Sequence, residues 1–174
     1  MLKILNRFLQ NNNGVLLMYL LLLFPMFWWL WSITLDGTDA KYVSARAKTA
    51  LNRAVKAAVL AIDKEKLACG SIFIDNSNSR ANFDRVLTLN LGLREDYAPA
   101  GASPLQDAPE ILNYYVCQGP CPYTYNYLLG DIKNIAYTFE DPGVFALIRV
   151  RYKHKFTGKI QDIYVYAAAE VVSD

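Results

Sequence analysis

The chain has 174 residues, 53% of them hydrophobic, and a formal net charge of +2. Such a near-balance gives no dominant basic field of the kind that drives nucleic-acid binding, so no nucleic acid is expected as the default partner. A single histidine, His154, with no phosphate-cradling Gly-rich loop and no carboxylate pair in an apolar setting, argues against an enzyme, and no cofactor is expected.

The first element is a short basic leader, residues 1–14, whose charges are Lys3 and Arg7. Residues 15–35 then run without a charge. About 20 apolar residues at ~1.5 Å of rise each cross a hydrocarbon layer of roughly 30 Å, so this stretch predicts one transmembrane helix. Lys3 and Arg7 precede it and Asp36 and Asp39 follow it, which places the N-terminus in the cytoplasm and the rest outside. Trp28, Trp29 and Trp31 read as an interfacial belt. The alternative, a cleaved signal peptide, fits less well, because the apolar run exceeds the usual h-region and tryptophans stand where small residues would mark the cleavage site.

Gly14, Tyr19 and Pro25 give this segment a further register. It resembles the N-terminus of the TadE-like family of pseudopilins from tight-adherence pilus systems. In that family a basic leader, a Gly, a Glu five residues on and a Pro six residues later open the hydrophobic stretch. The resemblance implies that a prepilin peptidase cuts between Gly14 and Val15, and that the membrane helix packs against other pilin-like subunits. In the family the Glu meets the terminal amine of a neighbouring subunit. Here Tyr19 stands in its place, and a phenol of pKa about 10 does not neutralise an ammonium group as a carboxylate does. Read without the family, Gly14 ends a polar leader and Pro25 kinks a membrane helix.

Residues 36–68 predict an amphipathic stalk, with Val43, Ala47, Leu51, Ala54, Ala58 and Ile62 on one helical face. Gly37 and Thr38 either break it from the span or permit a continuous helix with a bend. The stripe serves equally to pack a neighbouring subunit or the chain's own sheet. Residues 69–174 then predict an extracytoplasmic α+β domain. It holds a short strand at Ile72–Asp75, a second helix from Arg80 to about Leu91 ended by Gly92, and strands over 111–116 and 133–139. The fold class is therefore α+β: a long N-terminal helix, made of membrane span and stalk, packed on a small antiparallel sheet with a second short helix and a C-terminal hairpin.

Alternation over Val144–Phe156 gives that hairpin one apolar and one basic face. A two-residue turn at Gly158-Lys159 sets Lys155 opposite Asp162, Lys153 opposite Tyr164 and Arg151 opposite Tyr166. Arg149, Arg151, Lys153 and Lys155 then form a basic ladder, either a solvated outer face or a surface for an anionic partner. Cys117 and Cys121 enclose a Gly-Pro turn and pair as a local disulfide, with Cys69 bonded to either one as the alternative. They flank a tyrosine-rich loop whose Tyr123, Tyr125 and Tyr127 offer contact area to a partner or cover a small core. Cys69, Cys117, Cys121 and His154 lack the spacing of a zinc ribbon or finger, so no metal is expected.

The function these readings predict is a structural or assembly subunit of a surface filament or secretion apparatus, a pseudopilin or minor pilin. Its partners are other pilin-like subunits or copies of itself, and its place is the cell membrane or an extracellular filament. The alternative is an uncleaved single-pass protein whose outer domain is a binding or adhesion module.

Overall fold

A computed structural model of the chain describes residues 12–101, 103–130 and 133–171. The leader charges Lys3 and Arg7 lie outside the described residues. Among the described residues the fold is α+β, with a long N-terminal helix, two shorter helices and small antiparallel sheets.

Helix α1, Asn12–Val59, is unbroken through Pro25 and through Gly37-Thr38. Between the two readings of that break, the helix runs on. It ends at Val59, earlier than the stalk periodicity predicts, and Ile62 leaves the helix to bridge Ile74. The cause is a small backbone clasp in which Asp63 donates to Phe73 O at 2.8 Å and Asp75 donates to Ala61 O at 2.8 Å. Short α2, Lys64–Ala68, follows with Asp63 as its N-cap. Helix α3, Asn76–Leu91, starts four residues before Arg80 because Asp75 supplies the cap by accepting from the Ser77 and Asn78 amides. At its other end Gly92 takes the left-handed conformation (φ 63°), which frees the Leu93 amide to bond Thr88 O.

Strands β1 (Glu110–Cys117), β4 (Gly143–Lys153) and β5 (Ile160–Glu170) form one antiparallel sheet in the order β1-β4-β5. Strands β2 (Tyr123–Leu129) and β3 (Lys133–Phe139) form a separate two-stranded sheet. The stretch expected as a tyrosine-rich loop is thus mostly β2, paired residue for residue with β3 from Tyr123↔Phe139 to Leu129↔Lys133.

The chain divides into two compact units. One holds α1 through Ala40 together with His154–Lys159; the other holds Lys41–Lys153 and the chain from Ile160 on. The second unit has three layers. On one face of the large sheet lie Val144, Ala146, Ile148 and Val150, all fully buried. Helix α3 covers that face through Phe83, whose ring sits 4.9 Å from that of Tyr114 on β1. Helix α1 joins it through Val43, Ala47, Ala50, Leu51, Ala54, Val55 and Ala58, each 4% exposed or less. Arg53 on α1 bonds Asn90 on α3 at 2.8 Å, and Lys48 sits over the Tyr166 ring at the edge of β5. The other face of the sheet carries Phe145 and Leu147, against which β2 and β3 build a second core with Cys117, Ile135 and Phe139. A bulge at Leu112 in β1 turns that side chain into this core as well.

The C-terminal hairpin keeps its predicted faces but not its predicted register. Arg151 faces Asp162, Arg149 faces Tyr164 and Ile148 faces Val165, a shift of four residues from the expected pairing. An even shift preserves the alternation of faces, so both registers satisfy the hydrophobic pattern equally. What decides between them is the connection: in place of a two-residue turn, residues 154–159 form a loop closed by His154 N donating to Lys159 O at 2.8 Å.

Candidate functional site

Three surfaces carry the candidate functional residues, and each follows from the elements that build it. The first is the N-terminal part of α1. From Leu16 to Trp31 nearly every large apolar side chain is exposed, Tyr19 at 64% and Trp28, Trp29 and Trp31 at 64–69%. This helix is long and apolar enough to cross a membrane. Its few polar side chains are compatible with that setting because Ser32 bonds Trp28 O and Thr34 bonds Leu30 O, each four residues back. Gly14 and Val15 lie in the first turns of the described helix, and Tyr19 and Pro25 on its exposed apolar stretch.

The second surface is a clasp that sequence reasoning missed. Asp36, the first residue beyond the apolar run, is 3% exposed. Its carboxylate accepts from Phe156 N at 3.2 Å, from Thr157 N at 3.0 Å and from Thr157 Oγ1 at 3.0 Å. His154 Nδ1 stands 3.8 Å away, and Lys155 pairs with Asp39 at 2.8 Å. This explains the register of the hairpin: the amides that a two-residue turn would place in the strand ladder serve the buried carboxylate instead. Phe156, expected on the inner face of a strand, is consequently an exposed loop residue, and His154 and Lys155 leave the strand with it. Burial pushes the Asp36 carboxyl up, but the donors from Phe156, Thr157 and Lys155 outweigh it and hold it below its ordinary value.

A carboxyl whose folded value is depressed stabilises the clasp fully above the unfolded value of about 4 and loses that contribution as pH falls through the lower folded value. The Phe156 and Thr157 amides are therefore expected to be protected from hydrogen exchange at neutral pH and to lose that protection as the pH falls below about 4. Asp36→Asn, which exchanges an acceptor oxygen for a donor, is expected to cut that protection about tenfold or more at pH 7. Equal protection in both proteins would show that the carboxylate does not hold the loop.

The third surface is the sheet domain's exterior. The basic ladder is shorter than predicted and largely paired: Arg149 bridges Glu110 on β1, and both Arg149 and Arg151 reach Asp162. Lys153 ends β4 and Lys155 lies beyond it. Exposed pairs of this kind contribute only about 0–1 kcal/mol, and they leave a mixed surface rather than a basic stripe. The tyrosines split between roles. Tyr115 stacks on Tyr125 with centroids 4.2 Å apart and on Tyr123 at 6.2 Å, while Tyr125 also meets Phe145 at 5.3 Å. Tyr125 and Tyr127 pack against the second core, and Tyr123 stays 43% exposed. Burial and the Tyr123 hydroxyl push the Tyr115 phenol up to about 12. Glu170 accepts from Tyr137 OH at 2.7 Å and from the Glu140 and Asp141 amides, which ties the β3–β4 turn to β5.

The local disulfide expected between Cys117 and Cys121 is not formed in the structure, where Cys69 is an exposed free thiol, Cys121 a half-buried one and Cys117 a buried one. Burial, with Cys117 beside it, pushes the Cys121 thiol up. Among the described residues no three metal-ligating side chains converge. Comparison of the chain with protein families, curated proteins and solved structures finds no match.

Proposed function

We propose that this protein is a membrane-anchored structural subunit of the pilin-like kind, a pseudopilin or minor pilin that takes part in building a surface filament or secretion apparatus. The observation that carries this reading is helix α1: one unbroken helix whose first half is apolar and exposed and whose second half is buried in an α+β domain. In such a subunit the exposed half is the assembly surface, with the N-terminus cytoplasmic and the domain outside. The stripe Val43–Ala58 is consumed by the chain's own core, which narrows inter-subunit packing to the residues around Tyr19 and Pro25.

Tyr19 favours a second reading, an uncleaved single-pass protein whose outer domain binds a partner, since the phenol lacks the charge that would pair with a neighbour's amine. The mass of the mature protein separates the two. A chain beginning at Val15 is the result expected of a processed subunit, and one retaining residues 1–14 counts against it. Tyr19→Glu is further expected to shift the membrane-extracted protein from small particles toward filaments; sedimentation unchanged by the substitution would remove Tyr19 as the limit on assembly.

A further inference from the structure

The clasp at Asp36 fixes where the loop His154–Lys159 sits along α1. Phe156 N and Thr157 N lie within 3.2 Å of the Asp36 carboxylate, and Asp36 directly follows the last residue of the apolar run. The polar layer flanking the hydrocarbon is only about 5–7 Å thick on each side, so a group bonded to Asp36 falls within it once α1 crosses a bilayer. Three properties of the loop suit that layer. Phe156 is 53% exposed, a large apolar side chain held outside any core. Lys159 is exposed, and the loop contains no acidic residue. The two carboxylates that would repel anionic headgroups at this level are both engaged by the loop itself, Asp36 by the backbone donors and Asp39 by Lys155.

We infer that the loop His154–Lys159 is a membrane-docking element that seats in the phospholipid headgroup layer of the same bilayer that α1 crosses. Phe156 enters the interface and Lys159 meets the phosphate oxygens. The inference rests on α1 spanning the membrane and is independent of whether the protein assembles with other subunits. Such a loop gives the anchor a second point of attachment and restricts rotation of α1 about its axis.

The test uses the full chain in vesicles of phosphatidylcholine and phosphatidylglycerol, with Cys69→Ser and Cys121→Ser to remove the accessible thiols. A nitroxide is attached at Phe156→Cys or, separately, at Trp31→Cys, and collisions with a water-soluble nickel chelate are compared with those of lipid-soluble oxygen. The expected result is a Phe156 label several-fold less accessible to nickel than the same label in an Asp36→Asn background, where the loop is released. A Trp31 label shielded from nickel with a Phe156 label freely struck by it, in both backgrounds, overturns the docking and leaves the span standing. A Trp31 label open to nickel overturns both.

Discussion

Ala54→Asp is expected to abolish the folded domain rather than merely weaken contacts between subunits. Ala54 is fully buried on α1, and its neighbours one turn away along the helix, Ala50, Leu51 and Ala58, are 2% exposed or less. A carboxylate introduced there is buried among apolar side chains, and an unpaired buried charge costs roughly 3–5 kcal/mol. Against a total stability of about 5–15 kcal/mol for a domain, that loss is most or all of the margin. Denaturant unfolding of the full chain in detergent, followed by circular dichroism, is the direct measurement. Ala45→Asp, on the exposed side of the same helix, is expected to change stability by about 0.5 kcal/mol or less. Equal tolerance of the two substitutions would mean that the stripe is not part of the chain's own core and would return it to a role between subunits.

The stripe was legible because helical burial repeats every three to four residues and the sequence keeps that spacing from Val43 to Ala58. Its partner was not legible, since packing on a sheet and packing on another helix ask for the same pattern. The same limit governs the hairpin. Alternation from Val144 to Tyr152 assigns every side chain to its face, but a period of two cannot distinguish registers that differ by four. The turn preference of Gly158-Lys159 is a local effect. It loses to the hydrogen bonds that Asp36 makes to Phe156 and Thr157 from more than a hundred residues away. The signal for that contact was slight: an acidic residue placed within a helix, directly after an apolar run, with no local cap to serve. Strand β2 did show its signal, because Tyr123, Tyr125, Tyr127 and Leu129 alternate with Thr124, Asn126 and Leu128. Flanking Pro120 and Pro122 and the exposure expected of tyrosine masked it as a loop.

Phe145→Ala is expected to release the β2–β3 hairpin before the rest of the domain unfolds. Among the described residues no backbone ladder joins β2 or β3 to the three-stranded sheet, so side-chain contacts attach them there, chiefly the packing of the second core together with the Tyr137–Glu170 hydrogen bond. A two-stranded hairpin is marginal alone in water. Phe145 is fully buried in that core, with its ring 5.3 Å from Tyr125 on β2 and 6.2 Å from Tyr166 on β5. Removing a buried phenyl costs about 3–5 kcal/mol, through lost burial and the cavity left behind. Most of that cost falls on the attachment of the hairpin, because the opposite face of the sheet keeps Val144, Ala146 and Ile148 against the helices. Amide exchange resolved by residue is expected to show β2 and β3 losing protection while β4 and α3 retain much of theirs. Uniform loss across both sheets would instead mean that the two cores unfold as one unit.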